Sequence, residues 1–133
     1  MIGSQPPQAA LNIWVGAVML QGLAWTVALM MYAIYIQRLM TSALPHPSTR
    51  PGMYVSVGPA GYTAAALIGL ATSAPDVLPP NAFNIQTDFA DGQVVKVLGI
   101  ISGTFVLLFS FWFFCISTAA VIAGVRRMHY PLN

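Results

Sequence analysis

Three long apolar stretches without a single charge constrain this chain more than any other feature. From Leu11 to Ile36, from Met53 to Ala74 and from Val97 to Val125 there is no Asp, Glu, Lys or Arg. A helix needs about 20 predominantly apolar residues to cross the hydrocarbon core of a bilayer, and each stretch is long enough. The two intervals read as loops. Residues 41–52 hold three prolines and a glycine, and residues 75–92 hold three prolines and all three acids. Such punctuation ends helices. The sequence therefore predicts an all-α integral membrane protein. Residues 1–133 form a single membrane domain, with transmembrane helices at about 11–36, 53–74 and 97–125.

Composition excludes the alternatives. Hydrophobic residues make up 57% of the chain and charged residues 6%, against roughly a quarter charged in a soluble domain. A soluble fold needs a charged surface that this chain cannot supply. The net charge of +2 is too small to suggest nucleic acid as a partner; lipid is the expected surrounding. Cys115 is the single cysteine, so no intrachain disulfide forms, and its apolar context predicts a small buried hydrophobe. His46 and His129 have no acid near them in sequence. No Ser/His/acid set and no metal-ligand spacing is present, and neither cofactor nor metal is expected. Met1 to Gln8 are polar and proline-rich without a basic segment, unlike a cleavable signal.

The few charges set a topology. Arg38 and Arg50 lie between the first two spans, and Arg126 and Arg127 follow the third. The positive-inside bias places residues 38–52 and 126–133 in the cytoplasm, and the N-terminus and residues 75–93 outside. Trp14 then suits the outer interface, and Tyr32 with Tyr35 the inner one. Asp88 or Asp91 is expected to cap the third span. An outside N-terminus without a signal hints that further chain precedes residue 1.

Membrane helices associate through small residues that allow close approach. In the third span Gly103, Ser110, Ser117 and Gly124 recur every seven residues. Phe105, Phe109, Trp112, Phe113 and Ile116 fall on another side. This predicts an outer helix with its small face on protein and its aromatic face on lipid. In the second span Gly61, Ala65, Gly69 and Ser73 repeat every four residues as a packing ridge, and Ser56 and Thr63 share a face roughly opposite. Pro59, flanked by Gly58 and Gly61, predicts a kink or unwinding at that point, and the freed backbone groups then need protein or water partners. Two readings fit: a water-filled pathway lined by hydroxyls, or a packing kink whose hydroxyls bond their own backbone. In the first span Gln21 is the one strongly polar interior residue, and a hydrogen bond to another helix is expected of it.

Three segments carry a resemblance. Thr49-Arg50-Pro51-Gly52-Met53-Tyr54-Val55-Ser56-Val57-Gly58-Pro59, the preceding Met31 to Met40, and Phe111 to Arg127 are similar to the tellurite-resistance/dicarboxylate transporter family, in particular its fungal malate permease branch. The resemblance implies helical hairpins around a central pore, ten helices in all, with odd-numbered helices inside. The chain resembles helices six to eight, a fragment of a ten-helix, channel-like transporter fold. By the same resemblance Ser56, Gly58, Pro59 and Thr63, on helix seven, line or shape the pathway. The family's occluding phenylalanine lies on the next inner helix, so neither Phe105 nor Phe113 takes that role. The implied function of the complete protein is transport of malate-like dicarboxylates across the plasma membrane, with sulfite or another small anion as the alternative substrate. A non-conducting membrane partner protein and a gene remnant are the rival readings. Three helices enclose a pore only by oligomerising, so a homo-oligomer stays open.

Overall fold

The computed structural model describes residues 6–42, 44–83 and 90–129, and within them it is helical almost throughout. Helix α1 spans Pro7–Thr41, a 3₁₀ helix η1 spans Pro47–Ser56, α2 spans Val57–Val77 and α3 spans Asp91–His129. All three long helical segments are long and apolar enough to cross a membrane, which makes this an integral membrane protein.

Local chemistry sets the ends. Pro7 opens α1 at a position where its missing N–H costs nothing. Ser42 turns to an extended conformation and closes the helix with its N–H on the Arg38 carbonyl at 3.0 Å. Helix η1 begins at Pro47 and contains Pro51. Ten residues is long for a 3₁₀ helix, which rarely exceeds three or four. Pro51 cannot donate to the ladder and would crowd a carbonyl four residues back in an α-helix, and the tighter winding relieves both problems. At the far end of α2, Leu78 is extended and its N–H reaches the Ala74 carbonyl.

The helices run antiparallel in sequence order. Helix α2 packs most extensively on α3, through positions too small to hold the backbones apart. An added Cβ on Gly103 would stand 2.6 Å from Ile68 Cγ1 and 3.2 Å from the Ala64 carbonyl. One on Gly92 would stand 2.7 Å from Pro75 Cα, and one on Gly99 would meet the Ala71 methyl. Helix α1 lies alongside this pair and is held by polar groups and rings. Trp14 Nε1 donates to the Leu70 carbonyl at 2.9 Å. Gln21 Nε2 donates to Thr63 Oγ1 at 2.9 Å, the interhelical bond expected of this residue. Tyr32 stacks on Phe113 with centroids 4.8 Å apart, and Phe109 and Trp25 meet Tyr32 edge-on.

Three expectations need correction. The irregularity expected at Pro59 lies before it. Helix η1 absorbs the distortion, and α2 is regular from Val57, so Pro59 falls in the first turn, where donors lack intrahelical partners anyway. The aromatic side of α3 is divided. Phe105 and Trp112 are exposed, but Phe113 is 0% exposed and Phe109 is half-buried, because α1 crosses over them. Trp14 and Tyr32 are buried, and each spends its polar atom on backbone, Trp14 on Leu70 of α2 and Tyr32 on Ser56 of η1 and Ala60 of α2. Cys115 is exposed, on the side of α3 that no helix covers. Asp91 begins α3 and is buried. Its Oδ2 accepts the Phe83 N–H at 2.7 Å, tying the loop to the helix start. Asp88 lies outside the described residues.

Gly92→Ala is expected to lower stability by about 1–3 kcal/mol, because backbone on the opposite helix cannot yield. Gly16→Ala, with nothing within 4 Å, is expected to raise stability by about 0.5–1 kcal/mol through helix propensity. Unfolding in mild detergent, followed by helical circular dichroism, measures both.

Candidate functional site

The junction of η1 and α2 is where the backbone is least regular, and three side chains converge on it. Tyr32 Oη donates to the Ser56 carbonyl at 2.6 Å and accepts the Ala60 N–H at 3.1 Å. In an uninterrupted α-helix those two backbone groups would bond each other. The hydroxyl therefore reaches both ends of the first helical bond of α2 and adds a donor and an acceptor there. Ser110 of α3 donates its hydroxyl to the Val57 carbonyl at 2.9 Å. Backbone freed by the change of winding is thus satisfied by protein, as a lipid surrounding requires.

A third anchor is Arg50, which is only 4% exposed. Its Nε donates to the Pro45 carbonyl and its Nη1 to the Ala120 carbonyl, each at 3.0 Å. A buried guanidinium is costly unless its donors find oxygen; charge-assisted bonds to carbonyls supply it here. The close approach uses Gly124, where a Cβ would stand 3.2 Å from Arg50 Nη1. Beside it, Tyr54 Oη and Thr118 Oγ1 share a hydrogen bond of 2.8 Å between η1 and α3.

The residues singled out from sequence separate into two groups on this frame. Gly103, Ser110, Ser117 and Gly124 are all buried on the side of α3 that faces η1 and α2. Gly61 sits at the edge of the same seam, with Ser110 Oγ at 3.6 Å from where its Cβ would be. Ala65 and Gly69 are exposed instead, and nothing lies within 4 Å of Gly58 or Gly69. The seam of α2 uses Ala60, Ala64, Ala71 and Ala74. Thr63 is buried, bonded to Gln21, and lines an apolar groove of about 330 Å³ with Trp14 and Trp25. Ser56 is half-buried and donates to the Met53 carbonyl at 2.7 Å. Ser56 and Pro59 border a second apolar groove, of about 400 Å³, beneath Tyr32 and Tyr35.

Around α2, at ~100° per residue, the exposed positions Tyr62, Ala65, Gly69, Thr72 and Asp76 form one continuous stripe. It stands opposite the buried alanines. Gly58 lies in the same sector and Pro59 at its edge. Tyr62 is 81% exposed. Sequence patterning missed this stripe because small residues read as packing, and it missed Tyr32 and Arg50 because they were assigned to an interface and to topology. The signal for Arg50 was its place between two prolines and a glycine, where a backbone needs donors.

Tyr32→Phe, which keeps the stack on Phe113, is expected to cost about 1–3 kcal/mol by removing the two hydrogen bonds that the hydroxyl makes to the Ser56 and Ala60 backbone. Thermal unfolding in detergent measures it, and a loss of a few tenths would mean that water takes the place of the hydroxyl.

The same sequence has relatives. It is 30% identical over 125 residues, 91% of this chain and 27% of the relative, to the malic acid transport protein of Schizosaccharomyces pombe. It is 27% identical to a putative malic acid transport protein of that organism, over 93% of this chain and 28% of the relative. The chain spans about a quarter of the length of these curated relatives. No solved structure matches. The voltage-dependent anion channel family matches residues 1–133 without a gap at either end, and the chain belongs to that family.

Proposed function

We propose that the chain supplies one pathway-facing helix and two supporting helices of a transporter for small organic anions, with C4-dicarboxylates such as malate as substrates. The observation that carries this reading is the free stripe of α2. A helix buried on one side by two neighbours leaves its small-residue side, Gly58, Ala65 and Gly69, without a partner. Small residues leave room for a solute, and Tyr62 and Thr72 on the same side bring hydroxyls. The relatives named for malic acid transport support the substrate class. Gly58 belongs to this face and Pro59 stands at its edge, whereas Ser56 lies on the side toward α1, with its hydroxyl on the Met53 carbonyl. Thr63 points to α1 and holds the helix in place. The two apolar grooves beside α1 are a poor medium for an anion, since a charge without polar partners is strongly disfavoured there.

The assignment to helices six to eight of ten, and a plasma-membrane location with residues 38–52 and 126–133 cytoplasmic, belong to the same proposal. The arginine-bearing end would then meet the cytoplasm, and its positive potential would attract anions. A second copy or further helices would close the pathway opposite α2.

Uptake of labelled malate into proteoliposomes holding the protein from its full reading frame tests the reading, with sulfite as competitor. Ala65→Phe is expected to lower uptake at least about tenfold, because a bulky ring on a free face obstructs passage without disturbing the seam. Leu108→Phe, on an exposed side of α3, is expected to change little. Equal loss from both substitutions, or none from Ala65→Phe in a protein that transports malate, would move the pathway away from this face. Absence of malate uptake above empty vesicles would overturn the substrate class.

A further inference from the structure

We infer that the cavity between the end of α1 and η1 is a binding site for an oxyanion, a carboxylate or phosphate group held by Arg38. The cavity has a volume of about 340 Å³ and is lined by Tyr35, Arg38, Ser42, Thr49 and Gly52, among others. That is within the range of small-ligand sites. The three apolar grooves elsewhere offer carbon walls; this cavity offers a guanidinium and hydroxyls.

The charge distribution favours an anion there. The chain has only three acids, Asp76, Asp88 and Asp91. Asp76 lies in the last turn of α2 and Asp91 in the first of α3. The antiparallel contacts from Trp14 with Leu70 to Tyr32 with Ser56 put that end about 40 Å from Arg38 at 1.5 Å per residue. Over such a distance no carboxylate of the described residues neutralises it. Arg50, the other arginine of this region, is buried and committed to carbonyls.

The hydrogen-bond inventory narrows the donors to Arg38 and Ser42. Thr49 Oγ1 already donates to the His46 carbonyl, so it offers only lone pairs. The Ser42 hydroxyl is not engaged in any side-chain bond among the described residues and can donate. Tyr35 gives its ring to the cavity wall, while its hydroxyl stands beside Ser56, which lines the neighbouring groove. A cation in the last turn of a helix is commonly there to offset the helix dipole. That role accounts for Arg38 but not for the polar cavity that it lines. An oxyanion would bond the guanidinium through two oxygens and accept from Ser42. The group belongs either to a free anion or to a lipid headgroup, since the chemistry is shared.

This site does not rest on the free face of α2, and its test reads binding rather than flux, so either inference can fail alone. Isotope-labelled protein in zwitterionic lipid nanodiscs is titrated with inorganic phosphate and with malate while the amide signals of Ser42 and Gly52 are followed. A second sample carries phosphatidic acid and no free anion. A saturable shift with phosphate or malate identifies a free anion as the occupant. A shift in the phosphatidic acid sample alone identifies a headgroup, and both results support the site. Arg38→Gln is expected to weaken binding at least about tenfold, and Arg38→Lys to restore only part of it, because an ammonium keeps the charge but not the two-oxygen bond. Arg126→Gln removes the same charge from another exposed position at the same end, outside the cavity, and is expected to leave binding unchanged. Unshifted signals in both samples, or equal weakening by Arg38→Gln and Arg126→Gln, would overturn the inference. Unchanged helical dichroism in each variant keeps the comparison valid.

Discussion

The Tyr32 hydroxyl stands between the Ser56 carbonyl and the Ala60 amide, and the positions of the other elements follow from it. Within a bilayer an unpaired backbone group has no water to turn to. Pro51 removes a ladder donor and crowds the preceding turn, which works against an uninterrupted α-helix from Pro47 to Val77, so side chains serve the junction. A hydroxyl can donate and accept at once, and a phenol at that depth can also bury its ring. Once Tyr32 is there, its ring fixes where Phe113 and Phe109 lie, and with them the approach of α1 to α3. Ser110 and Arg50 complete the arrangement from the α3 side. The change of winding is thus held from two directions by groups that bond backbone rather than each other.

One consequence is the strict division of α2. Ala60, Ala64, Ala71, Ala74 and Thr63 are turned toward neighbours, and the remaining sector carries Gly58, Tyr62, Ala65, Gly69 and Thr72 with no other helix of the described residues packed on it. The two sides use almost the same residue types. Size alone therefore does not say which is a seam and which is a passage. What separates them is the set of polar bonds from α1 and α3, all of which approach from the alanine side.

This limits how much of the architecture was legible in the sequence. The helical membrane fold was, because the length of an apolar run is set by bilayer thickness and needs no knowledge of neighbours. Gln21 was legible too, as the one polar side chain in its span with nothing local to bond. Phe113 was not. An aromatic residue is equally at home against lipid and against another ring, and only the path of α1 decides. Pro59 misled for a similar reason. A proline announces a missing donor but does not say on which side of it the helix changes its winding, and here Pro51 and Pro47 had already forced the change. Arg50 read as a topological charge, since its partners are carbonyls of residues 45 and 120, which no pattern of side chains reveals.

The close seam between α2 and α3 also bears on how the chain enters the membrane. The span ending at Val77 is the least apolar of the three and the span beginning at Asp91 the most. Gly92 against Pro75 and Asp91 against the Phe83 amide fasten the two at the turn between them. A weakly hydrophobic, proline-laden segment partitions poorly into lipid on its own, whereas a hairpin that matches its small residues against a strongly apolar partner does not face lipid on that side at all. Insertion of α2 is thereby tied to synthesis of α3. The order in which the ribosome delivers these helices and the order in which lipid accepts them need not be the same.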